Sequence, residues 1–321
     1  MIVLTGVAGF IGSYFLGFLN TKGITNIAIV DDFSREEKLN NWSTKKFEIK
    51  IDRKQFIPWL KLNSEKIDFV FHLGARTDTT LMDWKIFEEL NLNYTKSIWE
   101  ICANKNIPLI YASSAATYGN GELGYDDIEK NIPQLKPLNP YGDSKQMFDE
   151  WALQQTNQPP FWAGLKFFNV YGPNEYHKGR MASVIFHSFN QISSNKKIKL
   201  FKSHKQGIEN GHQKRDFVFV KDLCSVMYFL MEQRKSSGIY NLGSGTARTF
   251  LDLANSVFKT LNLPPQIEFI DTPLDIRNNY QYYTCATMEK LKETGYTPNF
   301  TSLEEGINDY VQNYLISRKY F

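Results

Sequence analysis

Cysteine is scarce in this sequence: Cys102, Cys224 and Cys285 are the only three in 321 residues, and they lie far apart. An odd, widely spaced set fits neither a disulfide framework nor a metal knuckle, so a reducing compartment is expected and no metal site. Long apolar runs are missing too. No stretch reaches the ~18 uninterrupted apolar residues that a spanning helix requires. Met1–Leu4 opens like a signal peptide, but no basic segment precedes it and Gly6 interrupts the run. The expectation is a cytoplasmic protein without a membrane partner. Charge of one sign is also lacking. A net charge of +3 provides no clustered basic face of the kind nucleic acid demands, so no nucleic-acid partner is expected. The Lys-rich stretches near Lys45, Lys196 and Lys205 read as solvated loops. Repeats and low-complexity segments are absent.

What is present is ordinary globular composition, 42% hydrophobic and 22% charged, which excludes a disordered chain. Ile2–Thr5, Ile27–Asp31, Phe69–Leu73 and Leu109–Ser113 are short, rich in β-branched or aromatic residues, and read as strands. Helical spacing runs through Gly12–Asn20, Trp84–Asn104 and Ser144–Gln155. Continuously apolar strands alternating with helices predict an α/β fold with a parallel sheet covered on both faces. Beyond Phe168 the pattern loosens. Met181–Ile192, Thr249–Leu261 and Ser302–Ile316 read as helices, Lys199–Phe201 and Phe217–Val220 as short strands, and Ser203–Lys214 as a loop.

The first strand runs into Gly6-Val7-Ala8-Gly9-Phe10-Ile11-Gly12. Glycines at this spacing let the backbone turn tightly against a pyrophosphate, which the amides of the following helix can bind. Asp31 and Asp32 stand ~20 residues further on, where an acid holds the ribose hydroxyls of NAD. Arg35, Lys38 and Arg53 could instead meet a 2′-phosphate, so NAD and NADP both remain open. Leu73-Gly74-Ala75 closes another strand with small residues that permit close backbone approach. These features predict a Rossmann-type, doubly wound parallel sheet over residues 1–168. Residues 169–321 are expected to form mainly a smaller mixed α/β substrate lobe, with segments returning to the first domain.

Tyr141 and Lys145 are spaced i, i+4 on one helix face. A phenol with a free pKa of about 10 needs help to accept an alcohol proton near neutral pH, and a neighbouring ammonium can stabilise phenolate. Ser114 ends a strand at the sheet's carboxyl edge, where open α/β folds bind ligands. Its hydroxyl could donate to the oxygen that Tyr141 serves.

The glycine turn, the Ser113-Ser114-Ala115-Ala116-Thr117-Tyr118-Gly119 strand end and the Tyr-x-x-x-Lys pair together resemble the extended short-chain dehydrogenase/reductases. More narrowly, several segments resemble the ADP-glyceromanno-heptose 6-epimerases: Phe168-Asn169-Val170-Tyr171-Gly172-Pro173, His177-Lys178-Gly179, Met181-Ala182-Ser183, Lys214-Arg215-Asp216-Phe217-Val218 and Tyr280-Gln281. The resemblance implies an isomerase that inverts carbon 6 of an ADP-activated heptose through transient oxidation, with NADP bound. It implies Tyr141 and Lys178 as acid/base residues on opposite sides of the reacting carbon, and Lys145 on the cofactor. Asn169, His187, Phe201, Arg215 and Tyr280 would hold the nucleotide-sugar. Gly9, Phe10, Ile11, Asp31, Asp32, Lys38, Arg53, Gly74, Ala75 and Val170 would line the dinucleotide. A homo-oligomer is implied as well. The sequence departs from the pattern at Val7, Leu73, Arg76 and Leu92, and Arg180 stands where a serine is expected at the substrate.

Overall fold

The computed structural model describes residues 1–277 and 280–321. The first half supplies β1 (Ile2–Thr5), α1 (Phe10–Thr21), β2 (Ile27–Asp31), β3 (Ile49–Asp52), α2 (Arg53–Asn63), β4 (Phe69–His72), α3 (Tyr94–Asn104), β5 (Leu109–Ser114), α4 (Pro140–Gln154) and β6 (Trp162–Phe167). The second half supplies β7 (Asn169–Tyr171), α5 (Val184–Asn195), β8 (Ile198–Phe201), β9 (Lys214–Phe219), α6 (Val220–Gln233), β10 (Gly238–Leu242), β11 (Ala247–Thr249), α7 (Phe250–Thr260), β12 (Ile267–Ile270) and α8 (Leu303–Tyr310).

Seven strands form one parallel sheet in the order β10-β6-β5-β4-β1-β2-β3. The order reverses direction between β1 and β4, which is the switch point where such sheets open a crevice beyond their carboxyl ends. Alternating side chains along each strand reach opposite faces. Leu4, Phe71 and Leu165 pack with α1 and α6, while Val3, Val70 and Leu109 pack with α2, α3 and α4. Both faces are therefore covered, as the apolar strands predict. The fold is a Rossmann-type α/β sheet with a smaller mixed assembly beside it: β11-β9-β7 and β12-β8. Strand β10, from the C-terminal half, pairs with β6 in the large sheet.

The helix expected over Trp84–Asn104 is present but changes winding. Between an α-turn at Trp84–Phe87 and α3, residues Glu88–Asn93 are π-helical. Helix α4 starts earlier than the apolar spacing predicts, because Pro140 fits the first turn and the Asn139 side chain accepts from Gly142 N–H at 2.9 Å. Helix α5 starts later, at Val184, where Ser183 caps it.

Candidate active site

At the switch point, Gly6 adopts φ +76°, and a Cβ there would come within 2.6 Å of Gly74 N. Only glycine fits. Gly9 heads α1 with no side-chain cap, and no acid stands in the first turn. The first-turn amides at Phe10, Ile11 and Gly12 are thus left for an external acceptor, which a pyrophosphate matches. Val7 is fully buried and packs into the core under the turn. Asp31 accepts from Ala8 N–H at 2.8 Å and Asp32 N–H at 2.7 Å, fixing the turn against β2. Burial pushes the Asp31 carboxyl up, and Lys38 opposes this. The Ser34 hydroxyl and amide hold Asp32 below its ordinary value. Arg53 stands 3.7 Å from Asp32, while Arg35 pairs with Glu37. A nicotinamide dinucleotide would fit these residues, with the Asp31 and Asp32 carboxylates, Lys38 and Arg53 as the groups that could meet its ribose.

A hydrogen-bonded chain runs beneath this cradle. Gly74 N–H donates to Thr5 Oγ1 at 3.1 Å, so the Thr5 hydroxyl turns its proton to His72 Nδ1 at 2.7 Å. His72 is then neutral with its proton on Nε2, which faces Thr95 Oγ1 at 3.0 Å. Burial holds its pKa down to about 3. Thr95 donates on to Asn91 O.

Ser114 and Tyr141 meet at the carboxyl edge of β5. Ser114 caps the next turn by accepting from Ala116 N–H at 3.1 Å. Tyr141, half-buried on the first turn of α4, has its phenol raised by desolvation and lowered by a hydrogen bond with Ser114. The Lys145 ammonium donates to Ala112 O at 2.8 Å, and burial brings it down to about 8. The i, i+4 spacing predicts that Lys145 lowers Tyr141; here the opposing group is Ser114. Asp149 extends the same face by another turn. It accepts from Tyr111 at 3.0 Å, Ser113 at 2.6 Å and Lys166 at 2.7 Å.

Lys178 arrives from a separate element, the 3₁₀ turn Tyr176–Met181. Its ammonium lies 5.2 Å from the ring centroid of Phe10, the first residue of α1, and burial lowers its pKa. Asn41 Nδ2 donates to His177 Nδ1 at 3.2 Å and to Ala8 O at 2.9 Å. The turn is thereby tied to the glycine loop. His187 on α5 reaches the Arg180 carbonyl at 3.3 Å.

Phe201, Arg215 and Tyr280 gather in a separate cluster. The Phe201 and Tyr280 rings are 6.2 Å apart, and the Arg215 guanidinium lies 5.4 Å over Tyr280. Arg215 donates to the Lys214 and Gln281 carbonyls. Its neighbour Asp216 is not its ion-pair partner, because that carboxylate accepts from Ser244, Gly245 and Ala286. A cavity of about 410 Å³ adjoins Tyr280 and is bounded by Asn120 and Gly121 beyond the β5 turn. Asn169 and Val170 stand on β7, which pairs with β9. Among the described residues no cluster of His, Cys, Asp or Glu suits a metal ion.

The model of the NAD dependent epimerase/dehydratase family matches residues 2–243. The chain belongs to that family. It is 50% identical over 325 residues to a protein of Fusobacterium nucleatum named ADP-L-glycero-D-manno-heptose-6-epimerase, with 98% of each chain covered. Its structure is similar to that of the Helicobacter pylori enzyme of the same name, with a TM-score of 0.81 and 28% identity over 97% of this chain and 95% of that one. Similarity to a UDP-N-acetylglucosamine 4-epimerase of Methanobrevibacter ruminantium, TM-score 0.82 at 22% identity over 99% and 98% of the two chains, reflects the shared fold.

Sequence reasoning did not find Asn41, His72, Asp149, Glu175 or the bridging role of Asn91. Asp149 was within reach, since it continues the Tyr141–Lys145 stripe at i+8. Asn41, His72 and Asn91 are isolated polar residues with partners far along the chain, and Glu175, although its partner Ser183 is only eight positions on, follows no periodic pattern.

Proposed function

We propose that this family member converts ADP-D-glycero-D-manno-heptose to ADP-L-glycero-D-manno-heptose by oxidising and re-reducing carbon 6, with NADP retained. The observation carrying this reading is the meeting of Ser114 and Tyr141 at the sheet's carboxyl edge, with Lys178 brought to α1 by an independent turn. The name of the half-identical relative supports the same sugar.

The bound dinucleotide supplies the hydride acceptor and donor. Tyr141 takes the proton of the C6 hydroxyl on oxidation, with Ser114 donating to the same oxygen, and that oxygen must regain a proton on reduction. The 6-keto sugar turns over between these steps, so a second acid/base group is needed for the other orientation. Lys178, desolvated beside Phe10, fills that role. Lys145 holds the nicotinamide ribose. Asn169, Arg180, His187, Phe201, Arg215 and Tyr280 hold the nucleotide-sugar, with Arg215 suited to the diphosphate. Gly6, Gly9, Phe10, Ile11, Gly12, Asp31, Asp32, Leu73, Gly74, Ala75 and Val170 line the dinucleotide.

Lys38 and Arg53 favour NADP over NAD. The Asp32 carboxylate near Arg53 supports NAD as the competing choice, and parallel titrations decide between them. We assign residues 1–168 to the dinucleotide and 169–321 mainly to the substrate, with β10 returning to the large sheet. A homo-oligomer in the cytoplasm completes the reading; three free thiols accord with a reducing compartment. Incubation with ADP-, UDP- and GDP-sugars, followed by NMR of the anomeric and side-chain protons, tests it. Inversion at C6 of the ADP-heptose is expected. Turnover confined to C4 of a UDP-sugar would overturn it.

A further inference from the structure

We propose that Glu175 is the positioning residue for Lys178, closing the turn that carries it with a carboxylate buried at the turn's base. The inference rests on the assignment of Lys178 as an acid/base group. Glu175 is fully buried and immediately precedes the Tyr176–Met181 turn. Ser183 follows that turn. The two are joined twice: Ser183 N–H donates to Glu175 Oε2 at 2.6 Å, and Ser183 Oγ donates to Oε1 at 2.6 Å. Lys178 N–H also donates to Glu175 O at 3.0 Å. The segment between is therefore a closed loop stapled across its base.

The staple sets the loop's far end as well. Ser183 Oγ accepts from Phe186 N–H at 3.2 Å and so starts α5. Gly179, at φ +53°, lets the chain reverse directly after Lys178. A neutral pair of hydrogen-bonding groups could make the same closure. A carboxylate buried here costs desolvation unless a cation answers it. Lys178, held to Glu175 through its own amide, supplies that charge: the ammonium opposes the burial that raises Glu175, and Glu175 opposes the burial that lowers Lys178. Around this pair, Tyr310 comes from α8 and Tyr176 from the turn itself. Helix α5 presents neutral Ser183, α1 presents the Phe10 ring, and His177 stays neutral with its pKa near 4. Lys38, from the segment after β2, acts on His177.

Glu175→Gln keeps the length and one acceptor of the staple but removes its charge. With that charge gone, Lys178 loses the group that raises its pKa. The limb of the kcat–pH profile belonging to residue 178 then moves to lower pH by about one unit, with kcat at the new optimum within a few-fold of the parent. Ser183→Ala, which loosens the staple and spares the charge, lowers kcat several-fold and leaves the limb in place. A Glu175→Gln profile superimposable on the parent's, or a uniform loss without displacement in both variants, overturns the proposal. Should Glu175→Gln unfold, the Glu175→Gln/Lys178→Met double variant recovers melting temperature if the two charges are coupled; additive losses overturn the coupling. Lys178→Met is assayed alongside. Parental interconversion in that variant refutes the role of Lys178 itself, whatever the glutamine variant does.

Discussion

Asn91 donates through Nδ2 to the Ser144 hydroxyl at 3.0 Å, and Ser144 donates onward to the carbonyl of Tyr141 at 2.7 Å. The same Asn91 side chain brackets Arg76, accepting from its N–H at 2.8 Å and donating to its carbonyl at 2.9 Å. One amide in the π-helical turn thus links the segment after β4 to the first turn of α4. Asn91→Ala leaves a backbone donor without its partner, a cost of about 1–3 kcal/mol. Melting temperature should fall by several degrees, with kcat reduced as Tyr141 loses its footing. An unchanged melting curve would count against the link.

Tyr141→Phe removes the hydroxyl proposed to carry the proton and leaves the ring that packs 6.5 Å from Phe87. Turnover should drop about 10²–10⁴-fold while dinucleotide affinity, read by fluorescence titration, stays near the parent's. Ser114→Ala should produce a smaller loss, since Ser114 opposes the burial that raises the phenol. Full activity in the phenylalanine variant would end the assignment.

Strands β1, β2, β4 and β5 were legible because each is an uninterrupted apolar run bounded by turn residues. Strand β6 was not. Gly164 and Lys166 interrupt Trp162–Phe167, yet both are dictated by neighbours. A Cβ on Gly164 would strike the Tyr111 ring, and Lys166 is fully buried because Asp149 answers it. Helix α2 was obscured by Pro58 and by its charges. At the site, the glycine turn, Ser114, Tyr141 and Lys145 were readable from local spacing. The contacts that orient them, such as Asn41 with His177 across 136 positions, leave no local pattern.

Burial brings Lys145 to about 8 from 10.5, and this makes stability depend on pH. Below about 8 the ammonium is charged in both states, and the folded state bears its desolvation. Between about 8 and 10.5 the folded chain has released a proton that the unfolded chain still binds. Stability attributable to Lys145 therefore rises with pH through that window, by at most about 1.4 kcal/mol per unit. It is lost as pH falls back through about 8. Lys45, also brought down to about 8 by burial, contributes with the same sign. The Lys145 part is therefore read as the parent minus Lys145→Met in urea titrations from pH 7 to 10.5. A difference flat across the window would contradict the desolvated ammonium.

Lys166 and Asp149 form an ion pair at 2.7 Å with neither side chain exposed. Lys166 also donates to Thr117 at 2.7 Å and lies 5.2 Å over the Tyr118 ring. Removing one partner strands the other charge in the interior, so Lys166→Met should cost about 3–5 kcal/mol. Replacing both is a different experiment. In Asp149→Leu/Lys166→Met no charge remains to be solvated, and isosteric apolar pairs are often neutral or better. The Tyr111 and Ser113 hydroxyls, which donate to Asp149 at 3.0 Å and 2.6 Å, would then lose their acceptor and hold back full recovery. The double variant should accordingly fall between Lys166→Met and the parent in urea midpoint. Its kcat should stay low, because Asp149 packs beneath β5 on the face that carries Tyr141 and Lys145. A single Lys166→Met variant as stable as the parent would mean that the interior at this point admits water, and that the pair does not fix the helix bearing Tyr141.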